Sequence, residues 1–118
     1  MKSADIFLHR IERGGIVVAT NNADDFDLRT IFTELVRMRV ESGSELSPRT
    51  ETELMYTPIN LRVVEAIIFR KPVEIIPRGW SVGLQLEGFG MKEVSEALEG
   101  EGKGEFIHLR APSSRSSV

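Results

Sequence analysis

The chain has 118 residues, 41% of them hydrophobic and 28% charged, with a formal net charge of −3 and no cysteine. That length suits one domain around one core, and the missing thiols exclude disulfides, thiolate catalysis and cysteine-held zinc or iron–sulfur centres. The acidic balance argues against a general nucleic-acid binder, which needs a clustered excess of lysine and arginine.

No apolar run nears the ~18 residues of a spanning helix, and residues 1–12 lack the apolar stretch of a secretory leader, so no membrane contact and a cytoplasmic location are expected. Residues 5–12 read as a strand, Arg13, Gly14 and Gly15 as a turn, and residues 16–20 as a second, β-branched strand, together an N-terminal hairpin. The period then changes. Leu28, Ile31, Phe32, Leu35 and Val36 fall at i, i+3, i+4, i+7 and i+8, which predicts an amphipathic helix; Asn22 or Asp24 is its cap, Asp25 and Asp27 suit its first turn, and Arg37 and Arg39 suit its end. Ser42, Gly43 and Ser44 stop it, and residues 45–58, with Pro48 and Pro58, form a polar, partner-facing connection.

Residues 60–69 fit two periods. Leu61, Val64 and Ile68 make a helical stripe, while Val63, Val64, Ile67, Ile68 and Phe69 equally suit a buried strand. Asn60 as a cap, Arg70 and Lys71 at the end and Pro72 beyond favour the helix. Residues 73–86 read as a hairpin turning at Pro77, Arg78 and Gly79. Val73 and Ile75 share one side, Trp80, Val82, Leu84 and Leu86 form the core face of the return strand, and Ser81, Gly83, Gln85 and Glu87 form its outer face. Met91, Val94 and Leu98 mark a short helix closed by Gly100, and residues 106–110 a last strand.

The order β-β-α-α-β-β-α-β lacks the regular alternation of a doubly wound sheet. It predicts an α+β fold, a mainly antiparallel sheet of about five strands with two or three helices packed on one face. One domain over residues 1–111 and a Ser-rich tail over 112–118 are expected; Ser116, Ser117 and Val118 loosely match a carboxylate-capture pattern.

Chemistry-bearing patterns are sparse. Gly88, Phe89 and Gly90 lie between a strand and a helix, where backbone N–H groups can meet an anion, but the third glycine of a dinucleotide fingerprint is replaced by Glu93, and a plain turn explains them better. The glycine-rich run 100–104 lacks P-loop spacing, and Gly79-Trp80-Ser81-Val82-Gly83 has nucleophile-elbow letters inside a hairpin instead of a strand-to-helix turn. His9 and His108 sit in the two terminal strands and approach one another if those strands are neighbours, yet two imidazoles without a third ligand make a poor metal site.

His9, His108, Gly88 and Gly90 are therefore the candidate ligand-binding residues, with no catalytic set, no metal and no cofactor expected. Arg29 and Arg37, on one flank of the predicted helix, together with Gln85 and Glu87, are the candidate interaction face. The function expected is a non-enzymatic protein-interaction or regulatory module that self-associates through a sheet edge or helix face. The alternative is a small-ligand-binding protein or minor enzyme with a pocket between sheet and helices.

Overall fold

The computed structural model describes residues 3–41, 43 and 49–112. Its elements are β1 (Ala4–Glu12), β2 (Ile16–Asn21), β3 (Phe26–Asp27), β4 (Ile31–Glu41), β5 (Thr50–Ile68), β6 (Lys71–Val73), β7 (Ile75–Ile76), β8 (Ser81–Phe89), α1 (Met91–Glu99) and β9 (Glu105–Ala111). All ladders are antiparallel. Six strands pair in the order β4-β9-β1-β2-β8-β5, and the pairing of β4 with β5 returns the sheet to its start, so it closes as a barrel; β6 adds to β5, and β3 pairs with β7 apart from it.

The closure depends on β5. Its first half lies against β4, from Glu41↔Thr50 to Ile31↔Arg62, and its second half against β8, from Asn60↔Phe89 to Ile67↔Gly83. Away from the register shifts, alternating residues of the barrel strands point inward, as a small barrel requires. Ile6, Val17, Leu35, Leu61, Leu84 and Leu109 are fully buried in one cluster, and α1 adds Val94 and Ala97 to it. The interior is thus filled by side chains.

This architecture corrects the α+β expectation: the fold is mainly β, with one short helix among the described residues. The helix expected over residues 28–36 is the turn before β4 and its first half, and the segment 60–69 is the end of β5 and the first residue of the turn after it. Both errors have one physical cause, the β-bulge, which inserts a residue and breaks period-two alternation. A register shift between Phe32 and Glu34 makes Phe32 and Leu35 the inward pair, a spacing of three. Another between Val63 and Glu65 makes the inward set Leu61, Val63, Ala66 and Ile68, which carries the same helix-like step.

The polar connection is corrected in part: residues 50–58 are strand, while 42 and 44–48 lie outside the described residues, as do 113–118 of the tail. The N-terminal hairpin, the short helix and the last strand are present as read, but the hairpin expected over 73–86 does not form, because β8 pairs with β2 and β5, β6 with β5 and β7 with β3; Val82, Leu84 and Leu86 do face the core. Trp80 does not; it precedes β8 and is 45% exposed. Ile76, not Ile75, is the buried residue of β7. Among the described residues no helix is long and apolar enough to cross a membrane.

Candidate functional site

The hairpin joining β5 to β6 turns in two residues, with Ile68 paired to Lys71 and both Phe69 (φ 52°) and Arg70 (φ 65°) in the left-handed region. Two consecutive left-handed residues make the turn whose twist matches a hairpin, and it ordinarily uses Asn-Gly because a Cβ there crowds the backbone. A phenylalanine in that position is a strained choice that places its ring in solvent. Phe69 is 81% exposed, and its ring meets that of Trp80 edge to face, centroids 5.7 Å apart.

Trp80 is held by a different device. Asn21, the one buried polar residue among those described, closes β2: its backbone N–H donates to Trp80 O (2.9 Å) and its carbonyl accepts from Gly79 N–H (2.8 Å). Its side-chain amide donates to Ile76 O (3.0 Å) and Asp24 O (3.1 Å) and accepts from Ala23 N–H (3.0 Å). The same residue therefore anchors both ends of the 76–80 segment. Asp25 Oδ1 accepts from Arg78 N–H (2.8 Å), which fixes the loop tip.

Between the two aromatic rings and the barrel wall lies an open groove of about 590 Å³. Gly83, on the outer face of β8 between Val18 and Ile67, forms part of its lining. A Cβ on Gly83 would stand 3.1 Å from the Ile16 side chain, so the missing side chain keeps the surface low there. One border is polar: His9 Nε2 and Thr20 Oγ1 are hydrogen-bonded (2.8 Å), as are Thr20 Oγ1 and Ser81 Oγ (3.0 Å). Arg70, Lys71 and Arg78 are exposed neighbours in sequence of the two aromatic residues, and none of them lines the groove. Among the described residues these three side chains make no ion pair, and neither do Arg13, Lys92 and Lys103.

The sequence-expected residues fall in several places. His9 is the extra residue of a bulge in β1, which turns it and Arg10 outward. His108, on β9, bonds Asp5 Oδ1 through Nδ1 (2.8 Å), and Arg110 reaches both Asp5 and Glu53. The two histidines do share the outer face, but Phe7 stands between them, its centroid 4.7 Å from His9 and 6.2 Å from His108. Imidazole, hydroxyl and carboxylate are thereby split into two strings, His108–Asp5 and His9–Thr20–Ser81, on a convex surface. Among the described residues no group of three His, Asp or Glu side chains is placed to hold a metal.

Gly88 and Gly90 serve close approach. A Cβ on Gly88 would lie 2.1 Å from Asn60 O, and one on Gly90 2.5 Å from Ile59 Cγ2; both residues have positive φ. Arg29 pairs with Asp27 (2.8 Å) in the turn before β4, and that hydrogen bond raises its pKa. Arg37 donates to Ala97 O (3.1 Å) at the end of α1 and approaches Glu105 (3.7 Å), so it is a strut between helix and strands, and no helical flank joins it to Arg29. Gln85 and Glu87 are exposed on β8, with Glu87 paired to Arg62.

A larger open cleft, about 1120 Å³, lies beside β3 and the start of β4, lined in part by Asp27, Arg29, Thr33, Asn60 and Ile75. Its arginine is already satisfied by Asp27, and it does not lie between sheet and helix. None of the three main clefts is lined by His9, His108, Gly88 or Gly90. Sequence reading missed Phe69 because the Phe69-Arg70 turn carries none of the glycine, asparagine or aspartate that marks such turns. Compared with protein-family models, curated proteins and solved structures, the chain matches none.

Proposed function

We propose that this chain is a non-catalytic protein-binding module that receives a partner on the outer face of β2, β8 and β5, with Phe69 and Trp80 as its anchors. The observation that carries this is the pairing of cost with exposure at Phe69. A non-glycine residue in the left-handed region costs about 1–3 kcal/mol, and such strain concentrates at sites where the conformation is used. Here the strained backbone holds a large apolar ring in water, where it contributes little to the core. Exposed aromatic anchors beside a groove are the common form of an interface hot spot.

Panning a displayed library of random peptides against the full chain and against its Phe69→Asn and Trp80→Ala variants tests this. Ligands that bind the parent and lose binding in both variants are the expected result. Enrichment that is indifferent to both substitutions would place binding elsewhere and refute the proposal.

Self-association, the other activity expected of such a module, is favoured by one observation. Residues 50–58 of β5 pair only with β4, and among the described residues nothing pairs with their other edge. Pro58, the bulge at Leu54 and the charges of Glu51 and Glu53 are, however, devices that blunt an edge. Light scattering after size exclusion decides it: a concentration-independent monomer removes self-association and leaves the groove as the interface.

A further inference from the structure

We infer that the segment received by the groove is a proline-rich peptide in the polyproline II conformation, with a proline ring or a neighbouring aliphatic side chain seated among Val18, Ile67, Gly83 and the rings of Phe69 and Trp80. This rests on the groove being the binding site of the module, and it adds the class of ligand.

The lining sets the polarity of the occupant. Val18, Ile67, Phe69 and Trp80 supply apolar surface, Ser81 supplies a hydroxyl, and among the described residues none with a charged side chain lines the groove. An ionised side chain entering it would lose water without gaining a counter-charge, which is unfavourable. An apolar occupant is favoured by the burial of its surface.

The floor of the groove is a sheet face, closed to an added strand. Val18 is matched to Arg10 and Gly83, Gly83 to Val18 and Ile67, and Ile67 to Gly83 and Pro72. Each of the three is paired on both sides, so the floor has no open edge on which a peptide could build a ladder. Side chains must therefore supply the polar contacts. The indole of Trp80 is a donor and never an acceptor. The Ser81 hydroxyl is joined to Thr20 Oγ1 (3.0 Å), which meets His9 Nε2 (2.8 Å). With the His9 proton on Nε2, these bonds run from His9 to Thr20 to Ser81, and the Ser81 O–H is left to donate into the groove.

The groove thus offers apolar rings and donors, with few acceptors. An ordinary extended segment brings an N–H at each residue, and each one buried without an acceptor costs about 1–3 kcal/mol. Proline brings none, while its carbonyl still accepts from an indole or a hydroxyl. An amphipathic helix satisfies its own N–H groups as well, but it also satisfies its carbonyls and leaves nothing for the Trp80 and Ser81 donors to bind. Successive prolines hold the segment extended before it binds, so little conformational entropy is lost. The rings of Phe69 and Trp80 are inclined at 73°, so they wall a notch and do not form parallel platforms for stacked bases. Aromatic-lined grooves of this kind are a recurrent receptor for proline-rich segments.

The test reads the sequences of peptides selected on the full chain and the affinity of their variants by fluorescence anisotropy. An excess of proline in the Phe69-dependent peptides is the expected result. Replacing those prolines by alanine should weaken binding by about tenfold or more, through lost preorganisation and newly buried N–H groups. Ser81→Ala in the full chain should weaken it about fivefold, the loss of one hydrogen bond, with circular dichroism matching the parent because the residue is exposed. Affinity should change little with salt, since no charge lines the groove.

Phe69-dependent peptides without a proline excess, whose alanine copies bind as tightly, would overturn the proline-rich ligand while leaving the binding groove standing. So would peptides that become helical when bound, or an affinity that collapses as salt rises. An absence of any Phe69-dependent ligand would remove both the ligand class and the groove.

Discussion

Phe69 and Trp80 meet edge to face at 5.7 Å, although ten residues, including β6 and β7, lie between them in the chain. Each is delivered by a different structural device, Phe69 by a strained two-residue turn and Trp80 by the hydrogen bonds of Asn21. Because each device can be altered alone, stability and binding can be moved separately.

Replacing Phe69-Arg70 by Asn-Gly puts the preferred residues into the left-handed turn. The double variant is expected to be more stable than the parent by about 1–3 kcal/mol, read as a higher thermal midpoint, while losing the selected ligands. A site kept for folding alone would not give a gain in stability together with a loss of binding.

Asn21→Ala removes the donors to Ile76 O and Asp24 O at a buried position. The cost expected is about 1–3 kcal/mol in a denaturant titration, because at least one buried carbonyl is left unsatisfied. The near-ultraviolet circular dichroism of Trp80 should weaken as well, since the segment that carries it loses its side-chain anchor.

The fold was legible where alternation is unbroken and hidden where it is not. The inward run Ala4, Ile6, Leu8 before the bulge of β1, the strand β2 and the inward run Val82, Leu84, Leu86 follow period two and could be read directly. In β4 and β5 the shifts at Phe32/Glu34 and Val63/Glu65 leave inward residues three apart and imitate a helical stripe, and a single sequence carries no mark that a bulge is present. Trp80 was legible as important but not in its place, because its exposure is set by the Asn21 contacts, 59 positions away in the chain (80 minus 21).

Glu105 gives a pH-dependent prediction. Its carboxylate accepts the Gly102 N–H (3.1 Å), which is the main reason its pKa lies below the ordinary range; covering by the protein opposes this, and Arg39 and Arg37 reinforce it. A carboxylate depressed in the folded state stabilises above the unfolded pKa, about 4.3, and loses that contribution as pH falls through the folded value. Glu105→Gln should therefore lower the thermal midpoint at neutral pH, and the gap between variant and parent should close as pH drops below the carboxylate range.

Gly88→Ala and Gly90→Ala test whether these residues are packing features. Each has positive φ and would drive a Cβ to 2.1 Å from Asn60 O or 2.5 Å from Ile59 Cγ2. Backbone strain alone costs about 1–3 kcal/mol, and the collisions add to it. Marked destabilisation of both by chemical denaturation is expected, with no selective effect on ligands bound at Phe69.

The most direct measurement uses Trp80, the single tryptophan of the chain, as its own reporter. It follows indole emission while the full chain is titrated with the tightest peptide selected on it. A saturable blue shift at one equivalent, absent in the Asn-Gly variant at positions 69 and 70, is the predicted result. An unchanged spectrum with the peptide demonstrably bound would contradict the account, because the ligand would then lie away from Phe69 and Trp80.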